Sequence, residues 1–263
     1  MIQIFHEAPL QIFDKVKEVT DGEYALVHLL DNDLSYAKAM ATSRANSSRP
    51  FILDNSAYEL GKAFSAGAFA EWIGLINPST YVVPDVIGDS HNTVEAFSQW
   101  KTRYRDLDGK KMGVVQGNTF AEVTTCFKAL QMLGADIIGI PFLIGRGVYQ
   151  AQNIEPTPFD LMNYRIRLLK HLVANCEKHP IHLLGVALPQ EGIYVRGCSW
   201  IESIDTSNPV IHGLAGIAYD TEKGLSTKRS ELLADLIHTE VTPEQEKLIF
   251  ENIAAFKRFF TRA

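Results

Sequence analysis

Short apolar runs alternate with longer amphipathic stretches along almost the whole chain, and this alternation constrains the fold more than any other feature. The runs are nearly continuous, which is typical of parallel strands buried on both faces. Eight of them are candidate strands: residues 23–30, 50–54, 80–85, 111–116, 135–140, 181–187, 200–205 and one within 209–219. Eight such strands with helices between them predict an α/β fold, a single (β/α)8 TIM-type barrel. A doubly wound open sheet is the alternative, but no glycine-rich dinucleotide fingerprint follows the first strands.

Helix-capping residues precede several of the amphipathic stretches. A Ser, Thr, Asp or Asn followed three residues later by Glu or Gln is typical of a helix N-terminus. The candidate caps are Thr119 with Glu122, Asn92 with Glu95, and Thr242 with Gln245. The last pair predicts a packed C-terminal helix.

The chain has 263 residues, with no internal repeat and no linker, so residues 1–263 are expected to form one domain. The N-terminus lacks the pattern of a signal peptide, and glycine and proline interrupt the longest apolar segment, residues 137–144. We therefore expect no secretion signal and no membrane span. The three cysteines are far apart, which disfavours a disulfide framework or a zinc site and favours a reducing cytoplasm.

Polar residues lie where the predicted strands end. In a (β/α)8 barrel these ends form one face, the face where active sites are built. Each could instead serve as a turn residue or a helix cap. The residues are Asp54, Asp85, Gln116, Gly139 and Asp205.

Two carboxylates at this face suggest chemistry at a glycosidic carbon, with one as nucleophile and the other moving a proton. The eight histidines do not form a metal-binding set, so no metal is expected. No cofactor is expected either.

Six segments resemble, in the same order, the conserved segments of the tRNA-guanine transglycosylase family. The first, PFILDNSAYELG, is similar to the strand and turn that carry D-S-G-G-[FY]-Q, and GVVQGN is similar to G-[IV]-V-Q-G. The others are VVPDVIGD, IIGIPFLIG, LLGVALPQE and SIDTSNP. Together they span residues 50–210, and each lies at a predicted strand end.

The resemblance implies an exchange of guanine for a 7-deazaguanine through a covalent intermediate. Asp205 would attack the anomeric carbon of the sugar while guanine departs. Asp54 would be the general acid and base, giving a proton to the departing guanine and taking one from the incoming base.

The resemblance also implies a pocket for the base. Tyr58 would stack on one face of the base and Leu184 would cover the other. Asp85 would accept from the N1 and exocyclic amino donors, and Gln116 would donate to O6. The backbone N–H groups of Gly139 and Ile140 would complete the contact with O6 of the base.

Three departures from the family pattern are present. Ser56 and Ala57 replace the usual glycines after Asp54, and Ile140 replaces the second glycine of its segment. The family's C-terminal zinc motif is absent. This compact, zinc-free form resembles the DNA-guanine transglycosylases of bacteriophages and bacterial modification islands, which implies DNA, guanine and a 7-deazaguanine as partners.

Three alternatives remain open at this point: a tRNA-guanine transglycosylase of the queuine or archaeosine type, a catalytically silent barrel that binds nucleic acid, and a small-molecule glycosidase or nucleoside hydrolase. With a formal charge of −6, the chain can bind phosphate only through local basic patches. The cations expected at the substrate face are Arg146, Lys223, Lys228 and Arg229.

Overall fold

A computed structural model describes residues 1–261 of the chain, and they form a (β/α)8 barrel of the TIM type. This confirms the predicted fold class. The parallel strands are β1 (Gln3–His6), β2 (Glu23–Leu26), β3 (Phe51–Asp54), β4 (Thr80–Val82), β5 (Lys110–Val114), β6 (Ile137–Pro141), β7 (Ile181–Leu184) and β8 (Ile201–Thr206).

The strands pair in the order β1-β8-β7-β6-β5-β4-β3-β2. Within residues 1–261 no ladder joins β1 to β2, so the barrel is nearly closed. The hydroxyl of Thr20, in the segment before β2, bonds to the backbone of β1: it accepts from His6 N at 3.0 Å and donates to Ile4 O at 2.8 Å.

Helices follow the strands and cover the barrel. They are α1 (Phe13–Val19), α2 (Val27–Asn32), α3 (Leu34–Ala45), α4 (Ala57–Leu60), α5 (Ala66–Ile76), α6 (Ser90–Arg103), α7 (Phe120–Met132), α8 (Arg146–Gln150), α9 (Pro158–Asn175), α10 (Glu191–Val195), α11 (Asn208–Leu214) and α12 (Pro243–Thr261). In the part of the chain that the structure describes, no helix has the length and hydropathy needed to cross a membrane.

Seven of the eight candidate strands are strands, and the eighth is wrong. The stretch within 209–219 contains most of α11, which begins with Pro209 in its first turn. Its apolar residues reflect burial against α12, since Gly213 lies directly against Ile249. The first strand is instead β1, whose apolar run is only two residues long between Gln3 and His6.

Two of the three predicted caps lie at helix starts. Thr119 accepts from Glu122 N at the start of α7. Thr242 and Gln245 form a reciprocal box before α12. Asn92 is not a cap, because α6 begins at Ser90 and the side chain of Asp89 accepts from Asn92 N.

The core has two layers, one outside the strands and one inside the barrel. The outer layer is the packing of strands against helices. The inner layer consists of buried residues from six strands, namely Phe5, Tyr24, Leu26, Ile52, Val82, Met112, Val114 and Ile137. This inner layer forms the floor on which the polar residues of the strand ends rest.

Candidate active site

A cavity of about 630 Å³ opens at the carboxyl ends of the strands. Loops that follow the strands build its wall, as expected for a barrel of this type. Eight of the predicted site residues line this cavity. They are Asp54, Tyr58, Asp85, Gln116, Arg146, Leu184, Asp205 and Lys228.

Asp205, near the end of β8, is held by donors from the neighbouring strand and loop. Its Oδ1 accepts from Gly185 N at 3.0 Å, and the Nε2 atom of His182 lies 3.0 Å from the same oxygen. Gly185 has a φ of 64°, a left-handed conformation that glycine adopts readily. This turn directs the Gly185 N–H toward the carboxylate.

Asp54, the last residue of β3, has a different environment. Its Oδ1 accepts from Ser56 N at 2.6 Å and its Oδ2 accepts from the Tyr24 hydroxyl at 2.7 Å. Burial, followed by the charge of Glu59, raises the pKa of Asp54 to about 8, although both hydrogen bonds act in the opposite direction. Its environment therefore favours the protonated form of Asp54 near neutral pH.

The turn after Asp54 keeps a left-handed residue without a glycine. Ser56 has a φ of 57° and is fully buried. Its hydroxyl accepts from His28 N at 3.2 Å, and this contact holds the serine in a conformation that glycine adopts at lower cost. The left-handed turn therefore forms with Ser56 and Ala57 at the positions where the resembled segment has glycines.

Three further carboxyl groups line the cavity, those of Glu7, Glu59 and Glu231, and sequence reasoning missed all three. Burial raises the pKa of Glu59 to about 7 and that of Glu7 well above its ordinary value. The negative charge of Asp205 also contributes to raising both pKa values. Glu7 follows β1, the strand that the apolar pattern did not reveal. Glu59 could have been recognised from the resemblance, because it stands where the segment D-S-G-G-[FY]-Q has Gln.

Asp85 is the centre of a buried hydrogen-bond network. Its oxygens accept from Asn55 Nδ2 at 2.8 Å and from Gln116 Nε2 at 2.6 Å. Gln116 Oε1 in turn accepts from Gly88 N at 2.9 Å, which fixes the orientation of the amide. Burial raises the pKa of Asp85, while the bonds from Asn55 and Gln116 lower it. Sequence reasoning missed Asn55, which holds Asp85.

Tyr58 is half exposed at the mouth of the cavity, and a lysine covers its ring. The Nζ atom of Lys228 lies 5.1 Å from the centre of the Tyr58 ring and 5.7 Å from that of Phe142. It also donates to the Tyr58 hydroxyl at 3.2 Å. A base that stacks on this face of Tyr58 must displace the ammonium group.

Gly139 and Ile140 do not belong to the cavity wall, which begins at Pro141 on this strand. Both lie within the β6 ladder, opposite His182 and Leu183, and the Ile140 side chain is fully buried. The expected contact of their N–H groups with O6 is therefore wrong for this geometry, because the strand places the two residues below the cavity. Pro141 has no N–H to replace them.

Only two of the four predicted cations line the cavity. Arg146 does so while pairing with Glu155 at 2.9 Å, and Lys228 does so at the mouth. Lys223 lies outside the wall on an exposed turn, and Arg229, also outside, pairs with Glu231. Neither Lys223 nor Arg229 belongs to the cavity wall, although Lys228 and Glu231 of the same segment do, so a substrate-facing position of these two cations stays a prediction. Over residues 1–261, no group of three or more His, Cys, Asp or Glu side chains is placed to hold a metal ion.

The fold is similar to solved structures at low sequence identity. The YdjI aldolase from Escherichia coli K12 superposes with a TM-score of 0.59 at 11% identity, over 99% of this chain and 91% of that one. A protein from Aquifex aeolicus VF5 does so with a TM-score of 0.50 at 12% identity, over 98% and 92%. These likenesses show the barrel fold alone. No protein-family model matches the chain, and no curated protein is significantly similar to it in sequence.

Proposed function

We propose that this chain is an enzyme, a transglycosylase that replaces guanine in DNA with a 7-deazaguanine. One observation carries the proposal: Asp205 and Asp54 face the same cavity from β8 and β3, but in environments that suit different tasks. The support comes from these residues and not from the structural neighbours, whose likeness is limited to the fold.

The first half of the reaction breaks the bond between C1′ of the sugar and N9 of guanine. Asp205 attacks C1′ and forms an ester, and the electron pair of the broken bond leaves with the base. Asp54 gives its proton to the departing guanine. The raised pKa of Asp54, about 8, means that this proton is available at neutral pH.

The second half reverses these steps with another base. Asp54, now a carboxylate, removes the N9 proton of the incoming 7-deazaguanine, and N9 attacks C1′. The ester bond breaks and its electron pair returns to Asp205. Both carboxyl groups therefore regain their starting states, so the exchange needs no cofactor.

The buried network around Asp85 supports recognition of a guanine-like edge. A carboxylate accepts hydrogen bonds from N1–H and the exocyclic amino group, whereas an adenine edge offers no such pair. One N–H of Gln116 donates to Asp85, which leaves the second N–H of that amide for O6. Leu184 lines the same cavity and supplies an apolar surface for the base.

DNA is the proposed polymer because of the resemblance to the compact DNA-guanine transglycosylases, and the barrel face would hold it. The cations on that face are Arg146 and Lys228. A flipped-out nucleotide with short flanking strands is a footprint that such a face can cover.

The deciding experiment incubates the protein with labelled guanine and a DNA duplex, and in parallel with unmodified tRNA. We expect label to enter DNA, and the Asp205→Asn variant to lose incorporation because an amide is a poor nucleophile. A denaturation-resistant protein–DNA adduct should form with the unaltered protein and not with this variant.

The other outcomes separate the alternatives. Label in tRNA alone would refute DNA as the polymer and keep the chemistry. Release of guanine from a free nucleoside without exchange would indicate a hydrolase. Binding of nucleic acid without any turnover would indicate a silent paralogue.

A further inference from the structure

His182 on β7 is a fully buried histidine inside the barrel, and the reaction steps above do not use it. Its ring packs beside Phe5 and Tyr24, which belong to the inner layer of the core. Both ring nitrogens have polar partners. Nδ1 lies 2.7 Å from the Ser203 hydroxyl, and Nε2 lies 3.0 Å from Oδ1 of Asp205.

These partners decide where the imidazole carries its proton. An ionised carboxylate can only accept hydrogen bonds, so the bond to Asp205 requires a proton on Nε2. The Ser203 hydroxyl can either donate or accept, and it therefore satisfies Nδ1 in either protonation state. The arrangement makes His182 a hydrogen-bond donor to Asp205.

The donors to Asp205 converge on one oxygen. His182 Nε2 and Gly185 N both lie 3.0 Å from Oδ1. Among residues 1–261, none donates to Oδ2. Asp54 differs, because Ser56 N bonds one of its oxygens and the Tyr24 hydroxyl bonds the other. Asp205 is thus the carboxylate with a free oxygen.

We propose that His182 is a positioning residue that holds Oδ1 of Asp205 through its Nε2–H and leaves Oδ2 as the attacking atom. This inference rests on the proposed function, in which Asp205 is the nucleophile. A side chain held at one oxygen by two donors from rigid elements loses rotational freedom before the substrate arrives, and this lowers the barrier to attack. His182 acts only through Asp205, because it lies below the carboxylate and does not line the cavity.

The test compares His182→Leu with His182→Gln in steady-state guanine exchange. The leucine removes the donor, so kcat should fall by about 100-fold, the usual cost of a small misplacement of a reacting group. KM should stay within about threefold, because His182 is not expected to contact the base. The glutamine side chain restores an N–H donor and should recover kcat by about tenfold over the leucine variant.

A matched control uses another histidine that bonds a hydroxyl group. His171 on α9 contacts Thr124 Oγ1 at 3.1 Å and lies outside the cavity wall. His171→Gln should leave kcat and KM unchanged. An unchanged kcat for His182→Leu, or equal losses in the leucine and glutamine variants, would overturn the proposal.

A second measurement needs neither turnover nor a variant. The ¹⁵N NMR signals of His182 in the unaltered protein report which nitrogen carries a proton, and we expect a protonated Nε2. An unprotonated Nε2 would overturn the proposal even if every variant failed to fold. Absence of exchange by the unaltered protein would refute the proposed function, and the NMR result would still decide the contact between His182 and Asp205.

Discussion

At the scale of single residues, Asp54 and Asp205 carry the same functional group but differ in what surrounds it. Tyr24 and Ser56 engage both oxygens of Asp54, and Glu59 adds a negative charge beside it. Asp205 is bonded at one oxygen. Burial and the charge of Glu59 outweigh the two hydrogen bonds and raise the pKa of Asp54, which suits a proton donor. The free oxygen of Asp205 suits a nucleophile.

The first prediction concerns the pH dependence of exchange. Release of guanine needs the protonated form of Asp54, so the rate should fall as pH rises through about 8. Glu59→Gln removes a neighbouring negative charge, which should lower the pKa of Asp54 and move this alkaline limb to lower pH. Measured pH–rate profiles check the shift, with Glu251→Gln on α12 as the control. An unmoved limb would show that Glu59 does not act on the proton donor.

The second prediction concerns base recognition. Asp85→Ala should weaken guanine binding by about 1–3 kcal/mol, because the donors of the base and the amides of Asn55 and Gln116 lose a buried acceptor. Competition between guanine and adenine in the exchange assay measures the effect, and discrimination between them should decline. If the variant prefers guanine as strongly as the unaltered protein does, Asp85 does not contact the base edge.

At the scale of secondary structure elements, a buried ion pair joins α9 to α10 and to the ends of β6 and β7. Arg165 and Glu191 are both fully buried, and the guanidinium bonds the carboxylate at 2.8 and 2.7 Å. Arg165 Nη1 also donates to Leu184 O at 2.7 Å and to Ile140 O at 3.3 Å. This one side chain therefore holds the strand ends that border the cavity.

The third prediction concerns this ion pair. Glu191→Ala should lower the free energy of unfolding by about 3–5 kcal/mol, because it leaves the Arg165 charge buried without a counterion. The exposed pair of Lys247 and Glu251 on α12 offers a control, and Glu251→Ala should cost at most about 1 kcal/mol. Urea denaturation measures both. Similar losses in the two variants would contradict this account of the buried pair.

At the scale of the whole molecule, the charge of −6 and the acidic cavity both oppose nucleic acid. Glu7, Asp54, Glu59 and Asp205 line the interior of the cavity, whereas Lys228 lies at its mouth. Burial raises the pKa of Glu7, Asp54 and Glu59, and protonation of these side chains reduces the repulsion of a phosphate backbone. Lys228 and Arg146 are then the local cations on which phosphate binding depends.

The fourth prediction is a salt dependence set by few phosphate contacts. The logarithm of the DNA-binding constant should fall with the logarithm of salt concentration, and Lys228→Gln should reduce that slope by about 1. Lys223→Gln provides the matched control, since Lys223 lies outside the cavity wall and should leave the slope unchanged. Equal slopes for all three proteins would exclude Lys228 as a phosphate contact.

The sequence by itself determined the barrel and the common location of four of its strand-end side chains. Buried parallel strands appear as continuous apolar runs, and their carboxyl ends must meet at one face. Asp54, Asp85, Gln116 and Asp205 could therefore be expected to share a cavity, and they do. The chemical roles assigned to them stay predictions.

Tertiary structure alone decided which polar side chains meet and which apolar stretch is a helix. His182 alternates with core residues in β7, and nothing local indicates that it contacts Asp205, which is 23 residues away. Val210 and Ile211 are buried in one cluster with residues of α12, and burial by a distant helix selects the same apolar residues as burial in a sheet. Gly139 and Ile140 are adjacent to the site in sequence yet lie below it, since the height at which a strand ends depends on its register with both neighbours.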